Sequence, residues 1–231
     1  MKCLTSKERE RGRCHYENVT FEGQLSQVLP PDLPQRELVI RKCAEHLDLI
    51  VEANQYLNLT RITTPRDAAI KHVLDSVIPW RLFAGARHVI DAGTGAGFPG
   101  IPLALVLPDV RFTLAESIQK KARFVALALD DLKLPNAVIE ARRAEELAAS
   151  GQFQVITARA VAPLERALKL FGPALRRGSR LLLYKGPEVA DEITAAEPDL
   201  RRLRAAAEIV MRYELPESMG SRTVIEVAAR N

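Results

Sequence analysis

The chain has 231 residues, 47% hydrophobic and 27% charged, with a formal net charge of +4. That length suits one large domain with an extension, and it buries a core without disulfide or metal staples. The three cysteines, Cys3, Cys14 and Cys43, form no CxxC pair, and His15, His46, His72 and His88 show no HExxH spacing, so neither a disulfide framework nor a zinc site is expected. No apolar run reaches the roughly 18 residues of a membrane span, and the first ten residues are too charged for a signal peptide, so a cytoplasmic location without membrane contact is expected. The mild basic excess fits a polyanionic partner without demanding one.

Residues 1–23 are polar and aperiodic and read as a flexible tail, with Arg9, Arg11 and Arg13 on it. From Gln35 to Leu57 the apolar residues Leu38, Val39, Ala44, Leu47, Ile50, Val51 and Leu57 recur at helical spacing. A second helix is predicted after Pro65, carrying Ile70, Val73, Leu74, Val77 and Ile78. Residues 24–84 are thus a helical extension, and 85–231 the main domain, forming one structural unit with it. There the chain alternates strand and helix. Strands are predicted at Arg87–Asp91, Val110–Glu116, Ala137–Ala141, Phe153–Thr157 and Ser179–Lys185. Helices are predicted at Pro99–Leu107, Ile118–Leu132, Glu145–Ala149, Pro163–Leu175 and from Glu188 to about Arg204. Strands at Ala207–Leu215 and Thr223–Ala228 close the chain as an edge hairpin. Repeated βα units imply an α/β fold, a seven-stranded and mostly parallel sheet with helices on both faces.

The first strand ends in Asp91 and runs through Gly93, Gly95 and Gly97 into a helix. Glycines permit positive φ in a tight turn and let a ligand approach the backbone. A dinucleotide GxGxxG would need glycine where Phe98 stands, and no Gly-Lys-Ser/Thr follows to make a phosphate loop. GxGxG suits a nucleoside-type ligand without pyrophosphate. Glu116, at the end of the next strand, is placed to accept the two hydroxyls of an adenosine ribose. The alternative is a structural turn beside a strand-end carboxylate.

The run Asp91 to Leu103, preceded by Lys71-His72-Val73-Leu74-Asp75-Ser76, resembles the bacterial small-subunit (16S) ribosomal RNA guanine-N7 methyltransferases, the glucose-inhibited division protein B family. Asn58-Leu59-Thr60, Lys120 to Phe124, Ala144-Glu145, Ala158-Arg159-Ala160 and Lys185-Gly186 match the same family in order and spacing. The resemblance implies a Rossmann-like class I methyltransferase fold and S-adenosylmethionine as cofactor. It assigns cofactor contacts to Gly93, Phe98, Ala144, Glu145 and Arg159, beside Gly95 and Glu116 from the loop itself. Arg159 is also the candidate for positioning the target base; no other catalytic residue is assigned. Arg123 and Lys185 are substrate candidates, and Arg111, Lys120, Lys121, Arg142 and Arg143 are expected to flank the mouth. The implied partner is 16S ribosomal RNA or the small-subunit particle, with no metal, and a monomer is expected.

The expected chemistry is methylation of guanine N7, a lone pair that needs no base. In keeping with that, Thr157 to Pro163 carries no Asp/Asn-Pro-Pro-Tyr/Phe string of the kind that serves exocyclic amines, and no cysteine follows Cys43 to act on a pyrimidine carbon. The alternatives are a small-molecule methyltransferase on the same fold and a nucleotide-sensing protein without turnover. The low aromatic content, 5%, speaks against the first, and Arg159 with the full loop against the second.

Overall fold

The computed structural model describes residues 20–159 and 162–230. Seven strands form one sheet: β1 (His88–Ala92), β2 (Arg111–Ala115), β3 (Ala137–Glu140), β4 (Val155–Arg159), β5 (Arg180–Lys185), β6 (Ala205–Glu214) and β7 (Ser221–Ala229). Their order is β3-β2-β1-β4-β5-β7-β6. The first five are parallel, and β7 pairs antiparallel with both β5 and β6, so the closing hairpin does add to one edge. The order reverses between β1 and β4. At such a switch point the connections leave to opposite faces and open a crevice at the carboxyl ends of the strands. In β1 four successive residues, Val89 to Ala92, are buried, because helices cover both faces.

One face carries α1 (Phe21–Val28), α2 (Arg36–Ala53), the helical run α3 (Pro65–Ala68, Ala69–Leu74 and Asp75–Val77), α4 (Gly100–Val106) and α5 (Gln119–Leu132). The other carries α6 (Ala144–Ser150), α7 (Leu164–Leu175), α8 (Val189–Ala195) and α9 (Glu197–Leu203). Two apolar clusters result. Leu25, Leu47, Ile70, Leu103 and Val125 share one, and Leu147, Leu168, Phe171 and Leu200 share the other. Burying each such side chain contributes about 1.5–3 kcal/mol.

Four details differ from the sequence expectation. Phe21 already begins a helix, capped by Thr20, whose Oγ1 accepts from the Gly23 amide at 3.0 Å, so the last residues assigned to the tail are helical. Residues 1–19, with Arg9, Arg11 and Arg13, lie outside the described residues. Val51, counted with the apolar face of α2, is exposed, while Cys43 and His46 are buried there. The centre of α3, Ala69–Leu74, is π-helical. The segment after Glu188 is two helices, because Pro198 has no amide to continue the first and fits the opening turn of the second.

Candidate cofactor and substrate site

The loop between β1 and α4 is tied down by Asp91. Its Oδ2 accepts from Thr94 Oγ1 at 2.6 Å and from the Gly100 amide at 2.9 Å. A Cβ at Gly100 would lie 2.7 Å from that oxygen, so only glycine allows the approach. Gly95 has φ +62°, and a Cβ there would meet nothing nearer than the Gly93 carbonyl at 4.0 Å. Glycine at this position answers to backbone conformation, and the space beside it is open. Asp91 is fully buried and its Oδ1 has no hydrogen-bond partner. Burial raises its carboxyl to about 6, against the opposing pull of the Thr94 and Gly100 bonds.

A cavity of about 190 Å³ opens over the ends of β1 and β2, lined by Gly93, Glu116, Arg142, Ala144 and Glu145 among others. Glu116 follows the last residue of β2. Its Oε1 accepts from the Ile118 amide at 2.8 Å and its Oε2 from the Gly95 amide at 3.2 Å. Two backbone bonds fix the carboxylate, and each oxygen keeps a lone pair for an incoming hydroxyl. Ala144 and Glu145 open α6 at the rim. The glycine turn and the fixed carboxylate fit a bound nucleoside.

A larger cavity, about 680 Å³, lies over β4 and β5 and shares Ala162 with the first. Lys71, Asp75, Arg159, Lys185, Glu192 and Arg222 bring its charge. Arg159 ends β4. Its Nη1 donates to the Lys71 carbonyl at 2.9 Å, the His72 carbonyl at 3.3 Å and Asp75 Oδ2 at 3.3 Å. Both carbonyls belong to the π-helical stretch, whose altered hydrogen-bond ladder leaves acceptors for side chains. Asp75, 3% exposed, also accepts from the Tyr213 hydroxyl at 2.9 Å and pairs with Arg222 at 3.3 Å. The Tyr184 hydroxyl donates to the Ser76 carbonyl at 2.8 Å. The edge hairpin therefore braces Arg159 through Asp75.

Phe98 lines neither cavity; it is buried beneath them. His72 stacks on its ring at 4.7 Å, His46 tilts against it at 5.0 Å, and the Arg159 guanidinium carbon lies 5.5 Å from its centroid. The ring thus packs under the loop and against Arg159. Burial lowers His46 to about 4, and burial with the Arg159 charge lowers His72 to about 3, so both rings are neutral.

The substrate candidates are not brought together. Lys185 donates to Glu192 at 2.6 Å and to the Ala162 carbonyl at 2.7 Å, with its side chain 9% exposed. Both side chains line the larger cavity, where Glu192 is 33% exposed. Arg123 is exposed on α5 and lines neither cavity. Arg111 opens β2 and so lies at the opposite end of the sheet from the mouth it was expected to flank. Arg142 does line the smaller cavity, as does Arg143. Sequence reasoning left Asp75 and Ser76 unassigned and missed Tyr184, Tyr213 and Arg222. Only the Lys71 to Ser76 string signalled any of them. Among the described residues no group of three His, Cys, Asp or Glu could hold a metal, and no helix is long and apolar enough to cross a membrane.

The family model for rRNA small subunit methyltransferase G matches residues 39–217. The chain belongs to this family. It is 59% identical over 209 residues to ribosomal RNA small subunit methyltransferase G of Solibacter usitatus, covering 90% of this chain and 100% of the relative. It is 41% identical to the protein of that name from Sorangium cellulosum, over 73% of each chain. Among solved structures it is similar to the O-methyltransferase TomG of Streptomyces achromogenes in complex with SAM, with TM-score 0.55, 15% identity and coverage of 99% of this chain and 100% of that one. It is also similar to a SAM-dependent O-methyltransferase of Thermotoga maritima, with TM-score 0.51, 15% identity and coverage of 79% and 72%. Those likenesses show the class I methyltransferase fold; the family rests on the sequence matches.

Proposed function

We propose that this member of the methyltransferase G family transfers a methyl group from S-adenosylmethionine to N7 of a guanosine in small-subunit ribosomal RNA. The observation that carries the reading is the pair of cavities that share Ala162, the smaller holding the fixed Glu116 carboxylate beside the glycine turn and the larger holding Arg159 at the end of β4. In this reading Gly93, Gly95, Glu116, Ala144 and Glu145 hold the cofactor, Phe98 supports them, and the enzyme works as a monomer in the cytoplasm.

Bound S-adenosylmethionine supplies a methyl group on an already activated sulfonium. The chain's contribution is position. Glu116 accepts the ribose hydroxyls without moving, because two amides already hold it. Arg159 presents the guanidinium edge not held by α3, a donor suited to guanine O6 or to the cofactor carboxylate. Holding nucleophile, methyl carbon and sulfur in line is worth up to about 7–11 kcal/mol. No proton leaves N7 before attack, so no base is needed, and both carboxylates of the larger cavity, Asp75 and Glu192, are already paired with cations. A small-molecule substrate fits less well, since that cavity is open and carries six charged side chains.

Calorimetry tests the cofactor, and tritium transfer tests the substrate. S-adenosylhomocysteine should bind and NAD should not. Label from tritiated S-adenosylmethionine should enter small-subunit RNA or particles from an unmodified strain and digest to 7-methylguanosine. Label in no RNA, or in another methylated nucleoside, would overturn the proposal.

A further inference from the structure

At the opposite end of the sheet from the transfer site lies a third cavity, about 430 Å³, lined by Arg87, Arg111 and Arg177 together with Gln152 and Gln154. The strand register builds it. Arg87 precedes β1 and Arg111 opens β2, and the Arg111 amide donates to the Arg87 carbonyl at 3.1 Å, so the two arginines leave adjacent strand ends. Arg177 arrives from the turn between α7 and β5, where its guanidinium donates to the Ala148 carbonyl. The packed pair His88 and Phe153, ring centroids 4.5 Å apart, forms the floor.

No carboxylate lines this cavity. Among the described residues none of the three arginines has an ion-pair partner, whereas Arg36, Arg66, Arg81, Arg159, Arg180 and Arg222 all do. Three exposed guanidiniums gathered around one concavity repel one another, at a cost that an anion would relieve. Burial, then the Arg111 charge, lowers His88, so the floor stays neutral and the positive charge resides in arginines that hold it at every working pH.

We infer that this cavity is a second RNA contact, which binds phosphodiester groups of the same substrate at a distance from the methylated base. The inference rests on the RNA-methyltransferase reading. β1 has five residues and spans about 17 Å at ~3.3 Å each, so one folded RNA can reach both ends of the sheet. Phosphate contacts of this kind set register and orientation and read no sequence. The site therefore makes the enzyme grip a large RNA at two points and favours it over a short fragment carrying only the target.

The test is binding of protein-free small-subunit ribosomal RNA across a salt series. It compares wild type with the triple variant Arg87→Ala/Arg111→Ala/Arg177→Ala and with a control of equal charge loss, Arg201→Ala/Arg202→Ala/Arg212→Ala. Each lost phosphate contact lowers the slope of log affinity against log salt by about 0.7–0.9. The cavity variant should lose about 2 in slope and bind at least tenfold more weakly at low salt, with unchanged S-adenosylhomocysteine affinity and melting temperature. The control should keep the wild-type slope, and the triple Arg→Lys variant should restore most of it. If the triple Ala variant melts early, Arg87→Glu/Arg111→Glu, which leaves Arg177 in place, carries the comparison. An unchanged slope beside a wild type that binds RNA would overturn this inference alone. A loss seen only on assembled particles would also overturn it, in favour of an acidic protein partner. A wild type that binds neither this RNA nor the small-subunit particle would overturn both readings.

Discussion

Asp75→Ala should be costly both to the fold and to turnover, for one reason. The carboxylate is 3% exposed and faces two guanidiniums, Arg159 and Arg222, each 3.3 Å away, and the Tyr213 hydroxyl at 2.9 Å. Burial and this carboxylate hold the Tyr213 phenol well above its usual range, so it stays a donor. Removing one partner of a buried pair costs about 3–5 kcal/mol when the other charge is stranded. Here Arg159 keeps the Lys71 and His72 carbonyls, and the Arg222 side chain is 28% exposed and can hydrate. A loss of about 2–3 kcal/mol is therefore expected, a large part of a domain's ~5–15 kcal/mol. Asp75→Asn leaves an acceptor for Tyr213 and removes only the charge, so it should lose about half as much. Urea unfolding at neutral pH, read by midpoint at constant slope, measures both. The catalytic expectation is separate. With Arg159 freed from one anchor, kcat should fall, and S-adenosylhomocysteine affinity should fall with it only where the guanidinium holds the cofactor carboxylate. A loss below about 1 kcal/mol for Asp75→Ala, together with an unchanged kcat, would refute the idea that Asp75 positions Arg159.

Three further outcomes follow from the same geometry. Gly95→Val forces a branched side chain into φ +62°, a penalty of about 1–2 kcal/mol, and fills the open space beside the loop, so calorimetry should find S-adenosylhomocysteine binding lost while the melting temperature falls by only about 2–8 °C. Unchanged affinity would mean that the loop is only a turn. Acid should destabilise the protein through His46 and His72, whose folded values of about 4 and about 3 lie below the unfolded 6.5. Their stability is fully present above pH 6.5 and is lost as pH falls through those values, while Asp91, raised to about 6, works in the opposite sense between pH 3.8 and 6. Unfolding midpoints measured from pH 7 to pH 4 should fall, and fall less in His72→Gln; a flat profile in wild type would contradict the buried neutral rings. Cys43, fully buried with its thiol pushed well above the usual range, should react with a thiol reagent only after denaturation, whereas reaction at the rate of a free thiol would mean that α2 opens.

The fold was legible because its signals are local. Apolar runs bounded by turn residues located all seven strands to within about two residues, and Pro65, Pro99 and Pro163 marked helix starts. The placement of the candidate cofactor residues was legible for the same reason, since Gly93, Gly95 and Glu116 lie on two successive βα turns. The rest of the site depends on contacts between residues far apart in the chain. Asp75 meets Tyr213 across 138 positions, and Arg159 meets Lys71 across 88. No periodicity announces such meetings. The pairing of Lys185, the last residue of β5, with Glu192 on the next helix was not legible either, since nothing in the spacing of the two announces it. The π-helical stretch was equally hidden, because Ala69 to Leu74 has the composition of an ordinary buried helix and Arg159, which takes the Lys71 and His72 carbonyls, lies far along the chain.

Methylation of a guanosine N7 in small-subunit ribosomal RNA by this chain is tested most directly on the RNA of cells that lack it. N7-methylguanosine reduced with borohydride and treated with aniline cleaves the chain at the modified position. The small-subunit RNA of the deletion strain should lose one such cleavage and regain it when the wild-type chain is restored, but not when Gly95→Val is restored. Persistence of every cleavage in the deletion strain would contradict the account.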